Sequence, residues 1–117
     1  MPETQTVEET TQVAKAIAHR LAYDRYLDLL REISELELSG IIGRILEEYA
    51  VWRQGQRDKL LSCRDFLANI CFRLSIPIVE MAYALYVLRD EVVAHGGLPE
   101  DTNQFFDRLA LELMRRY

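Results

Sequence analysis

The stretch "SIPIVEMAYALYVLRDEVVAHGG", Ser75 to Gly97, decides the fold. On a helical wheel at 100° per residue, Leu88, Met81, Val92, Leu85 and Ile78 fall in one apolar arc, and Ala82, Val93, Tyr86, Val79 and Tyr83 in a second arc beside it. Only a narrow polar wedge is left, marked by Glu80 and Glu91, with Arg89 and Asp90 set apart from it. A helix with so little polar surface packs against neighbours on more than one side, so this segment is expected at the centre of a helical domain. Ser75 is expected to cap its start, and Pro77 is tolerated in the first turn, where an amide proton has no partner anyway. His95, Gly96 and Gly97 mark its end.

Working toward the N-terminus, "RDKLLSCRDFLANICFRL" carries Leu60, Cys63, Phe66, Leu67, Ile70, Cys71 and Leu74 at three- and four-residue spacing, a helix with one buried face. Before it, Ile41, Ile42, Ile45, Leu46, Tyr49 and Trp52 form a short amphipathic helix ending near "RQGQ", where Gly55 suits a left-handed C-terminal cap. "SELELSG" reads as the preceding corner, capped by Ser34 with Glu37 or by Ser39 and loosened by Gly40 and Gly43. From Ala22 to Leu38 the residues Tyr23, Tyr26, Leu27, Leu29, Leu30, Ile33 and Leu36 share an apolar arc. Val13, Ile17 and Leu21 make an i, i+4, i+8 ridge on its charged side, which predicts a kink or a second contact surface. Thr6 and Glu9 have capping-box spacing. Toward the C-terminus, Pro99 opens a last helix that Asp101 can cap. There Phe106, Ala110, Leu113 and Tyr117 follow 4, 3, 4 spacing, widened by Leu109 and Met114.

No strand-like alternation, internal repeat or low-complexity tract interrupts this pattern, so the fold class is all-α, about five helices in one domain spanning residues 1–117. Residues 1–12 are expected to be flexible, and 101–117 to form a terminal helix that can continue into an output domain. Half of the residues are hydrophobic and 28% charged, with five glycines and three prolines, a balance that favours an ordered core over disorder. With a net charge of −5, the chain lacks the basic footprint that nucleic acid or an anionic membrane requires. The apolar runs are broken by charges well short of the ~18 residues of a membrane span, and "MPETQTVEETTQ" is not a signal peptide, so a cytoplasmic location and no membrane insertion are expected. Cys63 and Cys71 are separated by ~12 Å of helix rise, beyond the ~7 Å a disulfide spans, and read as reduced core thiols.

Catalytic signatures are missing: the sequence holds no glycine-rich phosphate loop, C-x-x-C, H-E-x-x-H or nucleophile elbow. His19 is a candidate phosphoacceptor or metal ligand, but it is a single histidine among charges. His95, near the end of the central helix, is a candidate haem ligand whose helix-dipole role already accounts for it. Glu80 and Glu91 lie ~16 Å apart along a helix, too far to act as a carboxylate pair on one bond. Tyr83 and Tyr86, with Tyr23 and Tyr26, are candidates to line a ligand pocket. No catalytic residue, metal or cofactor is expected.

The segment "RDFLANICFRLSIPIVEMAYALYVLRDEVV", Arg64 to Val93, resembles the RsbRD N-terminal domain family, the sensory modules of RsbT co-antagonist proteins and of some sensor histidine kinases. The likeness lies in an order of features: a helix ending in a polar turn, a short apolar segment with Ser (Leu74 to Ile78), Glu80, then an apolar helix carrying "ALYVLRDEV". "GIIGRILEEYAVWRQG", Gly40 to Gly55, and "FFDRLALELMRRY", Phe105 to Tyr117, are consistent with it, so it covers about Leu38 to the end. The resemblance implies a globin-like or bundle-like input domain without a required haem, commonly dimeric, joined through its last helix to a kinase or STAS-type output module. It implies no catalytic residues. With the two stripes above, it leads to the expectation of a homodimer whose interface uses Val13, Ile17 and Leu21 or Phe106, Leu113 and Tyr117. The alternative is that both stripes pack onto their own chain.

Overall fold

The computed structural model describes residues 7–22, 24 and 33–116 of the chain. They form five helices and, among the described residues, no strand: α1 (Val7–Ala22), α2 (Glu35–Arg53), α3 (Lys59–Leu74), α4 (Ile78–Ala94) and α5 (Pro99–Arg116). The all-α class expected from periodicity is therefore the observed one.

Each boundary has a local cause. Ser34, in extended conformation, accepts a hydrogen bond from the Glu37 amide through Oγ at 3.1 Å and starts α2. The corner thus lies at Ser34 rather than at Gly40 and Gly43, which sit inside α2, where each glycine costs about 1 kcal/mol relative to alanine. Gly55, at φ +112°, closes α2 as expected, its amide donating to the Trp52 carbonyl. Ser75 does not cap α4. It adopts the left-handed conformation (φ 56°, ψ 40°) and terminates α3, with the Ile76 amide reaching back to the Cys71 carbonyl at 2.9 Å. Pro77, extended at ψ 140°, holds the N-cap position of α4 instead. At the other end the chain turns within Gly96 and Gly97. A Cβ on Gly97 would lie 2.9 Å from the Val92 carbonyl oxygen and 3.1 Å from Thr102 Oγ1, so only glycine permits so tight a reversal into α5. Leu98 supplies the first carbonyl of α5, to the Thr102 amide, and Asp101 lies in the first turn rather than capping it.

Of the arc predicted from Ala22 to Leu38, only the two ends fall within the described residues. α1 stops at Ala22, Ile33 and Ser34 lie outside any helix, and Leu36 is exposed; Tyr23, Tyr26, Leu27, Leu29 and Leu30 lie outside the described residues, as does Thr6. Because α1 is a separate element, its ridge needs no second subunit. Ala14, Ile17, Ala18 and Leu21 are its buried inner face, with Val13 half-buried beside them.

α1 pairs with α2 and α4 with α5, and α3 lies against α2 and α5; α4 also touches α1 and α3. The first arc of α4 is core: Met81, Leu85, Leu88 and Val92 are buried. The second is partly so. Ala82 is buried and Tyr83 and Tyr86 half-buried, but Val79, in the first turn, is 74% exposed. At the centre, Tyr49 and Trp52 of α2 meet Phe105 and Phe106 of α5 with ring centroids 5.2 Å (Tyr49 to Phe105), 5.5 Å (Tyr49 to Phe106) and 5.3 Å (Trp52 to Phe105) apart.

Leu85→Ala is expected to cost ~2 to 5 kcal/mol, the range for truncating a buried leucine, whereas Val79→Ala should change stability by no more than about 0.5 kcal/mol. Urea denaturation of the two variants decides it; equal losses would mean that α4 buries a different face.

Candidate functional site

Among the described residues, two open grooves stand out on the surface. The larger, about 980 Å³, runs between the start of α1, the outer face of α2 and the end of α4. Val13, Leu46 and Val92 give it apolar walls, Glu47 and His95 stand on it, and Gly40 and Gly43 leave the α2 backbone bare, with open space where a Cβ would be. Arg53 lies at one end, paired with Asp101 at 3.4 Å and placed over the Tyr49 ring at 5.7 Å. The smaller groove, about 770 Å³, lies between α3 and α5, lined by Leu60, Leu61, Trp52 and Leu111. Arg57 covers Trp52 there, its guanidinium 4.2 Å from the ring.

His95 ends α4, its amide donating to the Glu91 carbonyl at 3.0 Å, and its exposed side chain sits on the rim of the larger groove. His19 is exposed near the end of α1 with Nδ1 3.4 Å from Glu35 Oε1, tying the end of α1 to the start of α2. Tyr83 and Tyr86, expected as pocket lining, line neither groove. The Tyr83 hydroxyl donates to Asp24 Oδ2 at 3.1 Å, an oxygen that also lies 3.6 Å from Arg20, so Tyr83 pins the residue beyond α1 onto α4. Tyr86 lies beneath Arg89, 5.3 Å from its guanidinium, and Arg89 donates to Asp107 of α5 at 2.7 Å. That hydrogen bond, opposed by burial and reinforced by Asp90, raises the Arg89 pKa further.

Four of the expected interface residues are withdrawn from any partner. Ile17, Phe106 and Leu113 have no exposed surface and Leu21 is 3% exposed, because α2, α4 and α5 of the same chain already cover them. Val13 keeps partial exposure on the larger groove, and Tyr117 lies outside the described residues.

One cluster escaped the sequence reading. Glu48 is a buried carboxylate that accepts from Arg44 Nε at 3.2 Å and from Ser62 Oγ of α3 at 3.4 Å, while the Arg44 guanidinium lies over Phe66, 4.7 Å from its centroid. The i, i+4 spacing of Arg44 and Glu48 was its visible signal. Beside it, Cys63 has its pKa pushed up to about 12, chiefly by burial and secondarily by Glu48, with Arg44 acting the other way. Burial first, then Glu80, raises Cys71 to about 11. Both cysteines are free, and their thiols are held in the unreactive protonated form. No metal-binding cluster occurs among the described residues.

The folded chain is therefore expected to resist thiol-specific reagents near pH 8 and to react fully once unfolded in urea. Because both pKa values are raised by folding, the uncharged thiols stabilise fully below pH 9.0, and that contribution declines as pH rises toward 11 and 12. Cys63→Ala should flatten the decline in urea midpoint above pH 9.0, and rapid labelling of the native chain would contradict the placement of both thiols. No family model matches the sequence, and neither a curated protein nor a solved structure matches it.

Proposed function

We propose that this chain is a non-catalytic helical input domain of a bacterial-type signalling system, acting as a homodimer and passing a signal to a kinase or STAS-type output module, fused or separate, through the packing of its last helix. The observation that carries this reading is the position of α4. It touches α1, α3 and α5, and its most extensive packing is against α5. A displacement of α1, tied to α4 through Asp24 and Tyr83, reaches α5 through a single packed element, with the Arg89–Asp107 pair as a polar link between the last two helices. The outer face of α5 carries Leu111 and Met114 at 46% and 38% exposure, apolar side chains that an output module can use. The resemblance of Arg64 to Val93 to the RsbRD N-terminal family supports the same reading.

A second reading, sensing of a small ligand, is favoured by the larger groove, whose 980 Å³ falls within the size range of small-molecule sites. It adds an input to the first reading rather than replacing it. A haem Soret band lost in His95→Ala would promote it.

Titration calorimetry against purified RsbT-type kinase and STAS domains tests the output side. Binding with a micromolar Kd to one of them is expected, weakened about tenfold by Leu111→Asp. Saturable binding to neither, or acid-labile phosphate on His19 after incubation with a phosphodonor kinase, would overturn the proposal.

A further inference from the structure

The smaller groove, between α3 and α5, combines an apolar strip with a basic rim. Trp52 and Leu60 line it as buried side chains, and Leu61 and Leu111 line it at 44% and 46% exposure, four apolar groups joined in one cavity. Its α5 wall runs from Asn103 to Glu112 and is open to water. Those residues span about 13 Å of helix, or about two and a half turns. The charges on it are not balanced. Glu112 is reached by three guanidiniums at once, those of Arg64 at 3.8 Å, Arg108 at 3.4 Å and Arg115 at 3.4 Å. Asp107, the other acid on the groove, is held by Arg89 at 2.7 Å. Both acids are thus matched or outnumbered by cations of the same chain. Arg57 is the charge left over: it lies over Trp52 and forms no ion pair among the described residues.

We infer that this groove takes an acidic amphipathic helix of a partner protein, its apolar face on Leu61 and Leu111 and a carboxylate on Arg57. The inference deepens the output-binding reading above, on which it rests for the identity of the partner. Shape and charge both select this occupant. Small-molecule sites bury most of their ligand, whereas an open trough of this length leaves a compact ligand largely in water. The same trough seats two to three turns of a helix, whose side chains one and two turns apart reach successive apolar groups along it. A basic helix would add cations to a rim whose acids are already taken. An acidic one gives Arg57 the counter-ion it lacks. Because the Arg57 guanidinium is already laid on the Trp52 ring, 4.2 Å from its centroid, less side-chain freedom is lost when a carboxylate arrives.

Fluorescence titration of the full chain with two stapled three-turn helical peptides tests the assignment. Both carry leucines on one face and no tryptophan; one flanks the leucines with glutamate, the other with lysine. Trp52 is the only tryptophan of the chain, so its emission reports on the groove directly. The glutamate peptide is expected to change that emission with a Kd in the tens of micromolar, and the lysine peptide to bind about tenfold more weakly or worse. Leu61→Asp should raise the Kd about tenfold, and Arg57→Gln should erase most of the preference for glutamate. Leu61 is exposed at the start of α3, so Leu61→Asp should keep the helical circular dichroism and urea midpoint of the parent, and it decides the matter even where Arg57→Gln loosens the fold. Unchanged Trp52 emission at millimolar peptide would overturn the inference. So would equal affinity for the two peptides, indifference to Leu61→Asp, or equally tight binding of a leucine-free glutamate peptide or a short single-stranded RNA, which would show that charge alone is read. Peptide binding while neither output domain binds in the calorimetry would keep the groove and remove the output reading; the opposite pair of results would remove the groove and keep that reading.

Discussion

At the centre of the bundle, aromatic rings of α2 and α5 meet and join helix pairs that otherwise pack side by side. Phe105 and Phe106 have no exposed surface: Phe105 packs on both Tyr49 and Trp52 and Phe106 on Tyr49, while the Tyr49 hydroxyl and Thr102 Oγ1 share a hydrogen bond of 2.9 Å inside the same cluster. Truncating a buried phenylalanine typically costs about 3 to 5 kcal/mol, a large share of the 5 to 15 kcal/mol that stabilises an ordinary domain. The polar pair adds direction to that adhesion. Burying either hydroxyl alone would leave a donor or acceptor without a partner, so Tyr49 and Thr102 fix how far along each other the two helices sit. With α5 seated, Leu109, Ala110 and Leu113 are enclosed between α3 and α4, and the helix pairs close around them.

Polar groups near this core are handled in a consistent way. Buried or half-buried charges meet partners from another helix: Glu48 with Ser62, Asp24 with Tyr83, Arg89 with Asp107. No buried side-chain nitrogen or oxygen among the described residues lacks a hydrogen bond. Several arginines add flat contact with aromatic rings, at Phe66, Trp52 and Tyr86, covering apolar edges while keeping their charge near water.

Periodicity made most of the core legible. Leu85 and Leu88 of α4, Cys63 and Leu67 of α3, and Ile42 and Ile45 of α2 are all buried where their spacing placed them. What a stripe cannot say is who covers it. Ile17 and Leu113 were rightly read as needing apolar company, but an i, i+4 pattern is the same whether the company is another helix of the chain or another molecule. Ser75 misled for a different reason. A short polar residue before a proline suits both an N-cap and a left-handed C-cap, and the choice is made by Ile76, which is buried and pulls its amide back onto α3. Glu48 was hidden because its partner Ser62 lies on another helix, and burial of a carboxylate is decided by such a partner rather than by its own neighbours.

The glycine-tight reversal between α4 and α5 also bears on how quickly the fold is reached. The most extensive helix pairing in the chain, α4 with α5, joins segments separated by a turn of four residues, and α1 with α2, the next most extensive, are also neighbours in sequence. Contacts this local close small loops, so little chain entropy is lost before burial begins to repay it, and topologies dominated by them fold on the microsecond to millisecond scale. The meeting of Tyr49 with Phe105 and Phe106, like the packing of α3 on α5, joins parts of the chain far apart in sequence. A side chain at Gly97 would strain the turn on which the α4–α5 pairing closes.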